Sequence, residues 1–239
     1  MRACVMGALV LATSCGRGSP STAPDPVAPA IAIDAPSEFA HDPVAQFWAW
    51  FVSASGSLRA GDASASMETI NDHLRDLDLK VSAEIELAKP NWRLMITADG
   101  DRALFPQVTR VVKAAPAIPG WSVIAFRQRA PLAGKSITMD GVSIDLDRAR
   151  IDVHRAGERL DVALYLPGFT PGNETIQRIG LIALDNAVGE YDMETRIGAI
   201  DWYPLTQAPS FARPLPELPA ILDATFPRAH RSRGAARCT

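Results

Sequence analysis

The sequence predicts an α+β fold, a two-layer sandwich in which helices pack on one face of a mostly antiparallel sheet. Three observations lead to this prediction. Amphipathic helical segments open the folded region, and short runs of period-two alternation follow one another with tight turns between them. The regular alternation of parallel strands with crossover helices is missing. Helices laid over hairpin-connected strands are the simplest way to bury these apolar faces.

The composition indicates one globular domain with appended tails. The chain has 239 residues, of which 47% are hydrophobic and 21% charged, and we place a single α+β domain at residues 41–226. Residues 227–239 are basic and lack hydrophobic periodicity, so we expect a disordered tail there. The net charge is −3, with acidic and basic residues interleaved. This distribution excludes nucleic acid as a partner, because phosphate backbones need a basic surface.

The N-terminus predicts export and lipidation. Residues 1–15, MRACVMGALVLATSC, combine one arginine, an apolar run and small residues before Cys15, which is the layout of a secretory signal. The end of this segment resembles a bacterial lipobox, in which the cysteine receives a diacylglyceryl group. Residues 16–40, rich in Pro, Ala and Ser, predict a flexible tether. We therefore expect a membrane anchor at Cys15 and a location in the cell envelope, at the outer membrane or the periplasmic face. A cytoplasmic location is the alternative if the N-terminus is not a signal.

Hydrophobic periodicity predicts the order of the elements. Apolar residues at helical spacing predict helices at residues 43–58, 63–77 and 104–112, and a fourth that begins after Asn173 and ends at Gly189. Alternation predicts strands at residues 81–87, 92–98, 121–129, 136–139, 142–146, 149–154, 160–166 and 191–202. Residues 205–226 contain many prolines, and we expect them to pack over an edge without regular structure.

Catalytic and metal-binding motifs are missing from the sequence. No glycine-rich phosphate loop, G-x-S-x-G turn or H-E-x-x-H helix is present, and the histidines are scattered singly. Asp99-Gly100-Asp101 is too short for a calcium loop, so we expect Asp99 or Asp101 to cap the following helix. We predict no metal and no cofactor. Whether the protein is an enzyme stays open, with a non-enzymatic role preferred.

Two arginines form the first part of a candidate binding site. Arg127 and Arg129 lie two residues apart in the strand predicted at residues 121–129, so they would leave it on the same side. Paired guanidinium groups of this kind bind carboxylates or phosphates. The alternative is structural ion pairing with acidic neighbours.

An acidic cluster forms the second part of the candidate site. Glu190, Asp192, Glu194 and Asp201 surround one helix-to-strand passage, and Trp202 follows directly. Paired carboxylates serve as acid and base when their pKa values differ, and they equally form solvated faces or ion pairs. The tryptophans expected to frame a cleft here are Trp92, Trp121 and Trp202.

The chain also resembles a family of uncharacterised bacterial proteins. The segments WRLMITADGDRALFPQVTRVVKAAPAIPGWSVIAFRQR and LDNAVGEYDMETRIGAID are similar to the family pattern ITA-(D/E)-G…FP…AP…W…AFR-x-R and GEYD…IG-x-ID, over most of residues 47–202. The family carries no established activity, and its members often lack a signal peptide. The polar or special positions that match are Asp99, Gly100, Pro106, Trp121, Arg127, Arg129, Gly189, Glu190, Tyr191, Asp192 and Asp201.

These features predict a membrane-tethered, non-enzymatic lipoprotein domain that binds a protein or an envelope component. The rival prediction is a hydrolase that uses the carboxylates near Glu190 to Asp201 with Arg127 or Arg129 as electrophile. A third possibility, an immunity or inhibitor module, differs from the first only in its partner. The sequence leaves the oligomeric state open.

Overall fold

A computed structural model describes residues 42–88 and 91–227 of the protein, all of them within one compact unit. The predicted signal with Cys15, the tether and residues 228–239 lie outside the described residues. The helices are α1 (Pro43–Ala60), α2 (Ala63–Asp76), α3 (Phe105–Lys113), α4 (Glu174–Val188), α5 (Glu190–Arg196) and α6 (Leu218–Thr225). The strands are β1 (Ser82–Ala88), β2 (Asn91–Thr97), β3 (Trp121–Ala125), β4 (Ser136–Met139), β5 (Val142–Asp145), β6 (Arg150–Ala156), β7 (Arg159–Leu166), β8 (Ile197–Pro204) and β9 (Arg213–Pro214).

The predicted fold class is confirmed, because helices combine with mixed and antiparallel sheets in an α+β sandwich. The strands form three separate sheets, with the orders β1-β2-β3, β4-β5 and β8-β7-β6-β9. Most neighbouring strands are antiparallel, as expected from the hairpins. The pairs β2–β3 and β7–β8 are parallel, and each is connected through helices, as parallel strands require.

The fold contains two modules of the same topology. In each, an antiparallel hairpin is followed by a helical crossover and a strand parallel to the second hairpin strand: β1, β2, α3 and β3 in one, and β6, β7, α4, α5 and β8 in the other. Each module has its own hydrophobic core. We call residues 42–126 the N-terminal half and residues 132–227 the C-terminal half. Residues 127–131, the connecting segment, join them.

The aromatic face of α1 forms the core of the N-terminal half. Asp42 caps the helix by accepting a hydrogen bond from the backbone N–H of Val44 at 3.0 Å. Phe47 and Phe51 are fully buried, as expected for large residues at helical spacing. The Trp48 indole N–H donates to the backbone oxygen of Val111 at 2.9 Å, which ties α1 to α3.

The core of the C-terminal half depends on a close approach of α4 to the sheet. Asn173 caps α4 by accepting from the N–H of Ile176, and Gly180 is buried where the helix crosses β7 and β8. A Cβ atom added at Gly180 would lie 2.5 Å from a Trp202 ring carbon and 3.0 Å from a Leu164 methyl group. The absence of a side chain at Gly180 therefore sets the distance between the helix and the sheet.

We expect Gly180→Ala to lower the free energy of unfolding by about 1–3 kcal/mol, because the extra methyl group overpacks this contact. Urea unfolding followed by circular dichroism measures the change. The double variant Gly180→Ala/Trp202→Leu should lose less stability than the two single variants added together, since the smaller leucine side chain gives the methyl group room. Strict additivity would contradict the predicted clash with the ring.

One predicted strand is wrong over part of its length. Residues 191–202 were expected to be extended, but Glu190–Arg196 form α5 and the strand begins at Ile197. Glu, Met and Arg favour helices, and Glu190 and Asp192 lie in the first turn of α5, where the helix dipole favours negative charge. The alternating pattern that predicted a strand belongs to Ile197–Pro204 alone.

Two further predictions are corrected. Strand β3 ends at Ala125, so Arg127 and Arg129 follow the strand instead of belonging to it. Phe126 turns the chain with a φ of 66°, a left-handed conformation that is costly for a bulky residue. The segment expected to lack regular structure, residues 205–226, contains β9 and α6. A proline in the first turn of α6 suits a helix start.

Candidate functional site

The predicted arginines lie in the connecting segment, where the two halves of the molecule meet. There they bond to carboxylates from both halves. We call this set of contacts the ion-pair network. Its carboxylates belong to Glu84, Asp99, Asp185, Glu190, Asp192 and Asp223.

Glu190 is the buried centre of the ion-pair network, with 0% of its surface exposed. Its Oε2 accepts a hydrogen bond from the Thr97 hydroxyl at 2.6 Å and from the backbone N–H of Arg127 at 3.1 Å. Its Oε1 accepts from the N–H groups of Ala98 at 2.8 Å and Gly100 at 3.4 Å. These donors precede Glu190 by sixty or more residues. The carboxylate therefore fastens α5 to the end of β2 and to the connecting segment.

Arg127 extends this contact with its guanidinium group. Its Nε donates to Asp185 at 2.9 Å, and its Nη1 lies 3.0 Å from Glu84 and 3.1 Å from Asp99. Burial alone would lower the pKa of Arg127, but the negative charges of Asp185 and Glu84 outweigh it and raise the pKa above its ordinary value. Arg127 therefore stays charged at neutral pH.

Arg129 makes a second set of contacts further along the connecting segment. Its Nη2 donates to Asp192 at 2.7 Å, its Nη1 to Asp223 of α6 at 2.8 Å, and its Nε to the backbone oxygen of Val188 at 3.0 Å. Burial would lower the pKa of Arg129, but hydrogen bonds to Asp223 and Asp192 raise it. The side chain thus links the C-terminal ends of α4 and α6 to α5.

Asp185 has a raised pKa in this position. Burial disfavours its charged form and raises the pKa above the ordinary value, while the charge of Arg127 lowers it only in part. A carboxylate whose folded-state pKa exceeds its unfolded-state pKa binds its proton more tightly in the folded state. The free energy of unfolding contributed by Asp185 therefore falls as the pH rises between those two values.

We expect the stability of the wild type relative to Asp185→Asn to be most favourable near pH 4 and to decline as the pH rises through the folded-state pKa of Asp185. Urea unfolding of both proteins at half-unit steps from pH 4 to 8 measures the difference. Taking the difference cancels the titration of the carboxylates that do not interact with Asp185. Asp201→Asn, at an exposed position, is the control. A relative stability that increased with pH would contradict the direction of the shift.

The structure brings together four of the six predicted binding residues, namely Arg127, Arg129, Glu190 and Asp192. Asp201 and Trp202 lie elsewhere. Asp201 is an exposed residue in the middle of β8, and Trp202 packs over Gly180 in the C-terminal core. The alternation of a strand sends adjacent side chains to opposite faces, so these two cannot join one site.

The expected cleft of tryptophans is also wrong. Trp92 and Trp121 pack against each other in the N-terminal half, with ring centroids 5.4 Å apart, whereas Trp202 belongs to the other core. Of the two expected caps, Asp101 accepts a hydrogen bond from the N–H of Ala103 at the start of the turn before α3. Asp99 instead pairs with Arg127.

Sequence reasoning missed much of the ion-pair network: Glu84, Thr97, Asp185 and Asp223 were not named as site residues. A weak signal was available for Thr97, a polar residue that ends an apolar strand and is fully buried. The other three occupy ordinary surface positions in their helix or strand patterns. No feature of the sequence around these three residues distinguishes them from solvent-exposed acidic residues.

Two concave surfaces adjoin the ion-pair network. One, of about 810 Å³, lies between the connecting segment and α6 and is lined by Arg129, Asp192 and Asp223 among others. The second, which we call the aromatic groove, is an open depression of about 900 Å³ between α3 and α5. Phe126 and Tyr191 border both surfaces.

Within residues 42–88 and 91–227, no group of three or more His, Cys, Asp or Glu side chains is arranged to hold a metal ion. None of the helices in that part of the chain has the length and apolar character needed to cross a bilayer. No protein-family model, curated protein or solved structure matches the chain. The resemblance to the uncharacterised bacterial family therefore stays a prediction.

Proposed function

We propose that this protein is a non-enzymatic binding domain, tethered to a membrane of the bacterial cell envelope by a lipid at Cys15. The observation that carries the proposal is that the candidate catalytic residues make structural contacts within the protein. Glu190 and Arg127 join the two halves of the molecule, and the pair Arg129–Asp192 fixes the connecting segment to the C-terminal half. Because these residues are occupied by structural contacts, we assign the function to the surfaces beside them and to binding.

The geometry of Glu190 and Arg127 supports a structural role over a catalytic one. A general acid or base must reach a proton of the substrate, but Glu190 is fully buried and accepts four hydrogen bonds from the protein. An electrophilic arginine must direct donors at developing charge. The donors of Arg127 are directed at Asp185, Glu84 and Asp99.

The N-terminal sequence supports the tether. An apolar run that ends in small residues and Cys15 is followed by a segment rich in Pro, Ala and Ser. Such a segment holds a domain away from a surface. A single acyl chain gives only reversible membrane binding, whereas a lipidated N-terminal cysteine with several chains gives a stable anchor.

Metabolic labelling with an alkyne-tagged palmitate in a bacterial host tests the tether. We expect the full chain to be labelled and to fractionate with membranes, and Cys15→Ser to lose both properties. Cys238→Ser is the matched control, because it removes a cysteine from the opposite end of the chain and should keep the label. An unlabelled wild-type protein in the soluble fraction would overturn the membrane half of the proposal.

An activity screen tests the non-enzymatic half against the hydrolase alternative. The purified full chain is incubated with nitrophenyl esters, phosphates and glycosides and with labelled casein. We expect no turnover above the background of the Asp192→Asn variant. Turnover by the wild type that disappears in Asp192→Asn, with the fold retained by circular dichroism, would favour the hydrolase.

A further inference from the structure

We propose that the aromatic groove binds an acidic peptide segment of a partner protein, with one apolar side chain of that segment seated on the groove floor. This inference rests on the proposed binding function and specifies the surface and the chemistry of the partner. The residues that carry it are the floor aromatics Phe105, Phe126 and Tyr191 and the rim cations Arg102, Arg110 and Lys113.

Three aromatic rings in mutual contact form the floor. The ring centroids of Phe105 and Phe126 lie 4.6 Å apart, and each lies 5.5 Å from that of Tyr191. Phe105 and Phe126 are buried, whereas Tyr191 is 52% exposed. Half-exposed on this buried pair, Tyr191 provides a flat apolar surface for a ligand. Because the rings beneath already restrict its side chain, it loses little conformational entropy on binding.

The rim of the groove is cationic. Arg102, Arg110 and Lys113 are exposed, and no acidic residue among the described ones lines the groove. Arg110 forms an ion pair with Asp42 at 2.8 Å, and 61% of its side chain remains exposed. The whole chain carries a net charge of −3, so this local excess of positive charge is opposite in sign to the protein. Charge complementarity therefore selects an acidic partner.

The shape of the groove favours a peptide over a membrane surface. Its volume of about 900 Å³ is that of an open depression, which a chain segment can cross without being enclosed. Phe105, Thr109 and Lys113 recur at intervals of four along α3, and Tyr191 and Thr195 do so along α5, so each helix presents one row of side chains. Two facing rows of this kind suit a chain segment lying between helices.

Fluorescence anisotropy with a defined probe tests the proposal. The probe is a fluorescein-labelled twelve-residue peptide of alternating Asp and Glu with a central Phe, titrated with the full chain in a mild non-ionic detergent. A peptide with Lys at every acidic position and one with Ala for Phe are the control probes. We expect only the acidic Phe peptide to bind well, with the Ala peptide about tenfold weaker.

Variants of the groove locate the binding. The charge reversal Arg102→Glu/Arg110→Glu/Lys113→Glu should weaken binding of the acidic peptide by about thirtyfold or more, through loss of attraction and added repulsion. Tyr191→Ala should weaken it about tenfold, and Tyr191→Phe should leave it nearly unchanged. The matched control reverses three exposed cations outside the groove, Lys80, Lys135 and Arg148, and should retain most of the affinity. Circular dichroism confirms the fold of each variant.

The outcomes separate this inference from the function on which it rests. If the groove reversal and the control reversal lost equal affinity for the acidic peptide, the effect would come from net charge alone, and the inference would be overturned. Binding of the Cys15→Ser chain to phosphatidylglycerol vesicles that is lost in the groove reversal, with no binding of the peptide, would also overturn it, and would make the groove a lipid-contacting surface. Either result leaves palmitate labelling of Cys15 and the activity screen untouched. A failure of those experiments in turn would leave the peptide titration valid.

Discussion

Glu190→Ala is expected to lower the free energy of unfolding by about 3–5 kcal/mol, the cost of removing one partner from a buried charged network. The substitution leaves the Thr97 hydroxyl and the backbone N–H groups of Ala98 and Arg127 without their acceptor, and each buried donor without a partner adds to the loss. The melting temperature should fall by roughly 10 °C. Urea unfolding and calorimetry measure the two quantities.

Asp201→Ala is the matched control for Glu190→Ala, because it removes an exposed carboxylate from β8. It should change stability by no more than about 0.5 kcal/mol. Glu190→Gln should lie between the two, since its amide keeps one acceptor oxygen. If Glu190→Ala and Asp201→Ala had the same stability, the buried carboxylate would not be what joins the halves.

Gly189→Ala is expected to cost about 2–4 kcal/mol, combining backbone strain with steric contact. Gly189 has φ 79° and ψ 153°, a region that glycine alone occupies readily. A Cβ atom there would lie 3.1 Å from the backbone oxygen of Arg127 and 3.3 Å from the backbone nitrogen of Arg129. Gly189 is both the C-terminal cap of α4 and the N-terminal cap of α5. Its replacement should therefore also displace Glu190, measured as faster hydrogen exchange at Ala98.

Gly56→Ala provides a control of opposite sign. Gly56 lies within α1, and a Cβ atom added there meets no atom within 4 Å. We expect this variant to gain about 0.5–1 kcal/mol, because alanine is the better helix former. The contrast separates the special backbone of Gly189 from the general effect of adding a methyl group. A stabilised Gly189→Ala would show that the connection between α4 and α5 adapts freely.

The hydrophobic pattern of neighbouring residues predicts those elements whose buried face is defined by residues only a few positions apart. The face of α1 and the hairpin β6–β7 follow from periodicity and turn residues alone. The strand predicted at residues 191–202 extends the alternation of Ile197–Pro204 back over residues 191–196. The composition of residues 190–196 favours a helix, and the first residue of that helix, Glu190, is buried against the N-terminal half, a contact that no local period contains.

The candidate site could be predicted in its charges and in part of its pairing. The sequence indicates Arg127, Arg129, Glu190 and Asp192, and it allows ion pairs between the two arginines and this acidic cluster, as the pair Arg129–Asp192 shows. Their partners come from distant segments, as with Thr97 and Glu190, which are 93 residues apart. Asp201 was included because it is near in sequence. The strand geometry of β8 carries it away from the network, so proximity along the chain was a poor guide.

The separation of the protein into two hydrophobic cores has a thermodynamic consequence. Parting the halves exposes the charged and amide groups around Glu190 and Arg127 together with the contact of Tyr191 on Phe105 and Phe126, whereas unfolding either core exposes a much larger aliphatic and aromatic surface. Heat capacity and denaturant sensitivity follow the amount and polarity of the surface exposed. An opening confined to this contact would expose less surface than unfolding either core, so urea would promote it less strongly. Acidity and ionic strength would act on it directly, through the carboxylates and guanidinium groups that it separates.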